Sequence, residues 1–185
     1  MKPKRSGKGR KTPVAKRAGV RPAAPRRKAR AATRAAAAPR ASSRDPRDLH
    51  PELARRWELA RSAFASRHPE LAQVFLTQSY RSAQDQAADY ARGRTAPGKV
   101  VTNAQPGQSL HNYYPALAFD IAFRSGKTLH WEVELFRQFA VLAKSFGLEW
   151  GGDWKSFKDN PHFQPPGYTW RMAKQGIEPA FRVNA

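Results

Sequence analysis

Four side chains are suited to act together: His111, Asp120 and His162, with Asp159 three residues ahead of the last. They fall in two short blocks. The first runs Ser109-Leu110-His111-Asn112-Tyr113-Tyr114-Pro115-Ala116-Leu117-Ala118-Phe119-Asp120. The second is Asp159-Asn160-Pro161-His162-Phe163, preceded by Trp150-Gly151-Gly152-Asp153-Trp154. Two imidazoles and one carboxylate can hold a zinc ion and leave a fourth position for water, the feature that separates hydrolytic from structural zinc. A second carboxylate beside the last ligand could take the proton from that water.

Each residue also has a plainer reading. Asp120 lies within the apolar run 116–123, where an isolated anion would be costly to bury. Coordination to a metal removes that cost, and so would a buried salt bridge to Arg81 or Arg94. Asp159 sits in a turn-like stretch, Lys158-Asp159-Asn160-Pro161. Residues three apart on a strand face opposite ways, so a kink at Asn160-Pro161 must bring Asp159 toward the ion. Asp153 is the alternative base. Of the remaining histidines, His50 and His68 flank a helix and are expected in solvent, and His130 has no motif around it. Trp150, Trp154 and Tyr113 could line a cleft or pack in the core, and Trp154 is the one assigned to substrate. Glu132 and Glu134 are expected on the solvated side of a helix.

The blocks resemble the M15 family of zinc peptidases, and within it the phage L-alanyl-D-glutamate peptidases. The family pattern of Ser-x-His, Ala-x-Asp and Asp/Glu-x-x-His is matched by Ser109-x-His111, Ala118-Phe119-Asp120 and Asp159-x-x-His162. Asp120 follows His111 by nine residues, two more than in many members. An upstream block is also similar: Ser79-Tyr80-Arg81-Ser82, Gln86, Tyr90, Gly93-Arg94-Thr95, Pro97-Gly98 and Val101-Thr102. The resemblance spans roughly Leu49 to Gln164. It implies zinc on His111, Asp120 and His162, with Asp159 as general base. It implies that Arg81 binds a substrate carbonyl or carboxylate and steadies the oxyanion, a task suited to a fixed cationic fork. Ser109 and Gln86 are expected to orient substrate or the residues that touch the metal. The implied activity is cleavage of peptidoglycan stem peptides, between L-Ala and D-Glu rather than at a D-Ala-D-Ala terminus. A carboxypeptidase and a non-catalytic polyanion-binding protein on a degenerate peptidase fold are the alternatives.

The elements that must position these residues are legible from periodicity. Leu49, Leu53, Trp57, Ala60 and Phe64 recur at helical spacing and predict a helix over 48–66, with Pro51 in its first turn. Val74-Phe75-Leu76 predicts a strand, and 82–92 a polar helix ended by Gly93. The stretch 93–110 reads as a loop with a short strand at 99–102. A buried strand over 116–123 carries Asp120, and a turn follows at Ser125-Gly126-Lys127. Residues 131–146 predict a helix closed by Gly147. Strands at 148–150 and 160–164 complete the set, the latter carrying His162, and Pro165–Ala185 shows no clear pattern. The expected class is α+β, a small antiparallel sheet with flanking helices. The resemblance narrows this to the D-Ala-D-Ala carboxypeptidase/Hedgehog-like fold.

Charge divides the 185 residues unevenly. Of the 34 Lys and Arg, 16 fall within residues 1–45 against one of the 14 acids, which places +15 of the net +20 there. That segment has no aromatic residue and too little apolar surface to offset its ordering entropy, so it is expected to be disordered. The expected boundaries are a basic tail over 1–45 and a peptidase domain over 46–185. A polybasic tail suits anionic envelope polymers such as lipopolysaccharide. Without aromatics it would bind nucleic acid only non-specifically. With no cysteine, disulfides, thiolate metal sites and a Cys nucleophile are excluded. No apolar run approaches the ~20 residues of a membrane-spanning helix, and no secretory signal is recognisable. The expectation is a monomer made in the cytoplasm that reaches the wall after release by other means.

Overall fold

The structure, a computed structural model, describes residues 40–181. Residues 1–39, which hold most of the expected basic tail, lie outside the described part. The fold begins earlier than the expected boundary at 46. Ser43 exchanges backbone hydrogen bonds with the end of the first strand, donating to the Tyr80 carbonyl and accepting from the Ser79 N–H, each at 2.8 Å. Arg40 lies over the Tyr114 ring at 3.6 Å and pairs with Asp48 at 3.2 Å. Composition alone hides these six residues, because they are held by backbone pairing and not by apolar burial.

Helix α1 spans Pro51–Arg67 and follows a 3-10 turn at Pro46–Asp48. Its start is set by Pro51 at the first helical position and by His50, whose Nδ1 accepts from the Glu52 N–H at 3.3 Å. His50 is thus a cap stacked on Phe181, not a freely solvated histidine. Leu53, Trp57, Ala60 and Phe64 form the buried stripe of α1. Helix α3, Val133–Ser145, offers Phe136, Phe139, Ala140 and Ala143 in return. Between these helices and the sheet, Phe139 meets Trp57 at 5.9 Å and Phe163 at 5.2 Å, and Phe64 meets Phe123 at 5.5 Å. Burying each such ring contributes roughly 2–3 kcal/mol. Arg56, only 2% exposed, is satisfied by Glu52 and by the carbonyls of Phe146 and Phe181.

The sheet is antiparallel with order β1-β2-β5-β4, and β3 also pairs with β2. Its strands are β1 Gln73–Gln78, β2 Phe119–Ser125, β3 Thr128–His130, β4 Glu149–Trp150 and β5 His162–Gln164. Helix α2, Ala83–Ala91, follows β1, and a short α4, Trp170–Lys174, follows β5. The expected α+β class with a small antiparallel sheet is the one observed.

Local differences from expectation have local causes. Residues 116–118 precede β2 instead of belonging to it, because Ala116 bonds back to Asp48 and His50. Residues 99–102 form no strand. They pack on Gly93, where φ is +70° and a Cβ would fall 2.6 Å from the Val100 nitrogen. Arg94 fastens the same stretch through the Thr102 carbonyl at 3.0 Å and Asn103 Oδ1 at 2.8 Å. Strand β3, too short for a periodic signal, arises from the hairpin at Gly126 (φ +59°).

Alternation along β2 decides the use of the sheet's two faces. Phe119, Ile121 and Phe123 enter the helix-covered core, so Asp120 must point to the other face. Register places His162 of β5 directly opposite Asp120. Two residues 42 apart in sequence are therefore neighbours on the open face.

Candidate active site

His111 rides on a 3-10 turn, Leu110–Asn112, capped by Ser109, whose Oγ accepts from the His111 N–H at 3.4 Å. Leu110 is buried beneath the turn, and Asn112 Nδ2 donates to the Arg81 carbonyl at 3.0 Å. The turn thereby aims the His111 ring at β2 and β5, bringing it to Asp120 across the eight residues that separate them.

Three atoms converge there. His111 Nε2 lies 3.1 Å from Asp120 Oδ1, His162 Nδ1 lies 3.2 Å from the same oxygen, and the two nitrogens are 3.3 Å apart. Their neighbours fix what each atom carries. His111 Nδ1 is 2.7 Å from the Ser79 carbonyl, which can only accept, so the proton sits on Nδ1 and Nε2 holds a lone pair. His162 Nε2 is 3.0 Å from Gln164 Oε1. Gln164 Nε2 donates to the Tyr168 carbonyl at 3.0 Å, which turns the amide oxygen toward His162. His162 Nδ1 is then an acceptor too.

Three acceptors facing one another without a donor repel, and a cation relieves that. A tetrahedral zinc with ligands at ~2.0–2.1 Å has ligand–ligand edges of ~3.3–3.4 Å, close to this triangle. The residues therefore fit a divalent metal with further positions open to the cleft. Where no metal binds, a proton serves the same need. Burial opposes charge on His162, yet the hydrogen bond and charge of Asp120 raise its pKa above the ordinary 6.5. Burial likewise works against Asp120, and the imidazoles still hold its carboxyl well below the usual range.

Metal and salt bridge prove not to be alternatives for Asp120. Its Oδ1 faces the imidazoles while Oδ2 accepts from Arg81 Nη2 at 3.2 Å. Arg94 is turned away to the 102–103 loop.

Asp159 lies in the turn before β5, so the strand-alternation problem does not arise. Its N–H donates to the Gly151 carbonyl at 3.1 Å and its carbonyl accepts from the His162 N–H at 3.2 Å. Burial, followed by the charge of Asp120, raises its carboxyl above the ordinary 3.8. Among the described residues no side chain hydrogen-bonds to that carboxylate, which faces the cleft. Gly151 makes this turn possible. A Cβ there would lie 2.5 Å from the Asp159 carbonyl oxygen and 3.1 Å from His162 Cβ.

The cleft encloses about 610 Å³ and is lined by His111, Asp120, Asp159, His162, Arg81, Ser109 and Trp154 among others. Trp154 lies against the His162 ring, centroids 5.0 Å apart, and its Nε1 donates to Glu149 at 2.7 Å. Gln86 is fully buried and does not line the cleft. Its Oε1 instead faces Arg81 Nη1 at 3.4 Å while its Nε2 holds the Ala104 carbonyl at 2.8 Å. Asp153 pairs with Lys144 and does not line the cleft. Trp150 and Tyr113 are held by the Asn160 and Trp170 carbonyls and lie outside the cleft. Sequence reasoning missed Arg92, Trp131 and Trp170 as cleft walls and Gln164 as the partner of His162. The His162-x-Gln164 spacing was the available signal for the last, since alternate strand residues share a face.

The family model described as D-alanyl-D-alanine carboxypeptidase matches residues 102–165, which contain His111, Asp120, Asp159 and His162. The peptidoglycan L-alanyl-D-glutamate endopeptidase CwlK of Bacillus subtilis is 35% identical over 128 residues, 64% of this chain and 74% of that protein. The L-alanyl-D-glutamate peptidase of Listeria phage A118 is 32% identical over 96 residues, half of this chain and 30% of the phage protein. Among solved structures, the L-Ala D-Glu endopeptidase ChiX of Serratia marcescens aligns with a TM-score of 0.47 at 25% identity, covering 69% of this chain and 86% of that one. The sequence match, together with a His-Asp-His cluster in the matched segment, shows that this chain belongs to the M15 family of peptidases.

Proposed function

We propose that the protein is a zinc peptidase of peptidoglycan stem peptides and cuts the bond between L-Ala and D-Glu. The observation that carries the chemistry is the triangle of three acceptor atoms, 3.1–3.3 Å on a side, beside the raised carboxyl of Asp159 in an open cleft. The bond is suggested by the names of the two curated relatives. His111, Asp120 and His162 would hold the ion. Zinc is favoured because two imidazoles and one carboxylate match its open catalytic sites.

When bound, the metal supplies a Lewis acid that polarises the scissile carbonyl and acidifies the attacking water. Asp159, free of other partners, accepts the proton of that water and returns it to the leaving amine of D-Glu. Its raised pKa makes it a better base and a better proton donor afterwards. Arg81 presents fixed positive charge at the cleft wall, tied to Asp120 and Gln86, and stabilises the developing oxyanion. Trp154 shields the metal side of the cleft, and Ser109 holds the turn that aims His111.

The test is mass spectrometry of purified peptidoglycan digested by the protein. The expected product is a peptide with a free D-Glu amino terminus, lost with a chelator and restored by zinc. Release of terminal D-Ala alone would assign the protein as a carboxypeptidase, the activity in the family description. No zinc-dependent product would sink the proposal.

A further inference from the structure

The cleft has two arms of different chemistry. Strand β1 ends at Gln78, opposite Asp120, so Arg81 and helix α2 lie off that end of the sheet. Arg81 and Arg92 put two guanidinium groups on this arm, with Asp89 between them at 3.7 Å from each and Arg81 also paired with Asp120. The other arm follows β2 the opposite way. His130 pairs with Phe123, and the Pro161 carbonyl accepts from the Ile121 N–H. Trp131 follows directly after β3, lies near the Phe136 ring of α3 with centroids 6.2 Å apart, and lines the cleft with Asp120 and His162. It is 53% exposed although large and apolar. Phe157, also on the cleft wall, is 42% exposed.

We propose that Trp131 is a saccharide platform that receives the glycan of the substrate. The inference rests on the stem-peptide reading above. In peptidoglycan the L-Ala nitrogen forms an amide with the lactyl carboxyl of muramic acid, so a protein cutting after L-Ala meets the sugar one residue from the scissile bond. The D-Glu side of the cut carries free carboxylates, and the sugar side is uncharged. The guanidinium donors thus suit the Arg81–Arg92 arm to D-Glu, and the exposed indole suits the Trp131 arm to the sugar. A pyranose ring presents polarised C–H groups on one face, and these are attracted to the negative face of an indole. Trp131 stands half-exposed in the wall of the cleft that also holds Asp120 and His162, where a bound ligand can cover its ring.

Two measurements test this. The first titrates the N-acetylglucosaminyl-N-acetylmuramic acid disaccharide into the full-length protein, followed by tryptophan fluorescence and NMR. Binding is expected, with Kd raised roughly tenfold in Trp131→Ala and by less in Trp131→Phe. The second compares kcat/KM on a disaccharide-linked muropeptide with that on the free N-acetylated stem peptide. The preference for the sugar-linked substrate should fall about tenfold in Trp131→Ala, through KM. No binding of disaccharide, or a substrate preference unaltered in Trp131→Ala, overturns the platform. Disaccharide binding that depends on Trp131, together with cleavage at a different bond, would retain the platform and overturn the L-Ala–D-Glu reading.

Discussion

At the scale of single residues, the protonation pattern around His162 governs the site. Gln164 Oε1 holds the proton on Nε2 and so leaves Nδ1 free to take the proposed metal. Gln164→Leu should leave the fold intact and weaken zinc binding 10–100-fold, read by competition with a chromogenic chelator. Asp159 acts differently, since it touches no ligand atom. Asp159→Asn should cut kcat/KM by on the order of 10²–10⁴ with zinc stoichiometry unchanged. A variant that lost metal and activity together would make Asp159 a ligand and remove the base from the scheme.

At the scale of elements, two junctions set the geometry. Gly151 packs against Asp159 and His162 with no space for a methyl group. Gly151→Ala should push the turn off β5, cost about 1–3 kcal/mol and lower both zinc affinity and turnover. Wild-type affinity in that variant would show that the turn can yield. The first turn of α1 controls acid stability. The Glu52 carboxyl is lowered from 4.5 to about 2 by its hydrogen bond to Arg55 and then by Arg56, against some burial. A depressed carboxyl stabilises fully above its unfolded value. That stability is lost as pH falls from about 4.5 toward 2. Because the group is partly in solvent, the contribution is discounted to about 1 kcal/mol. Urea midpoints at pH 5 and pH 3 should therefore converge between wild type and Glu52→Gln as pH falls.

At the scale of the whole molecule, metal and charge are the two levers. A site whose ligands come from the 109–112 turn, β2 and β5 binds metal only when folded. Zinc at 100 times its Kd should then add about 2.7 kcal/mol, and chelator should lower Tm accordingly. An unchanged Tm would argue against a metal shared by these elements. Residues 1–45 carry +15 of the net charge, and we propose that they concentrate the protein on anionic envelope polymers. Removal of residues 1–39, which spares the Ser43 pairing, should abolish most low-salt binding to isolated walls while cleavage of a soluble muropeptide persists. Equal wall binding by the truncated protein would sink that role.

The sequence by itself determined which side chains could bind metal, because ligand chemistry belongs to residue type and the Ser-x-His, Ala-x-Asp and Asp-x-x-His blocks are contiguous. It also determined α1, β1, α2 and α3, whose signals are periodic within a dozen residues. Tertiary structure decided whatever depends on strand register and close approach. Asp120 meets His162 only because β2 and β5 pair at those positions. Asp159, not Asp153, faces the cleft because Gly151 admits its turn while Lys144 takes the other acid. Gln86 went to the interior and Trp131 to the cleft for the same reason. A side chain's surroundings are set by segments distant in sequence, and local pattern does not encode those distances.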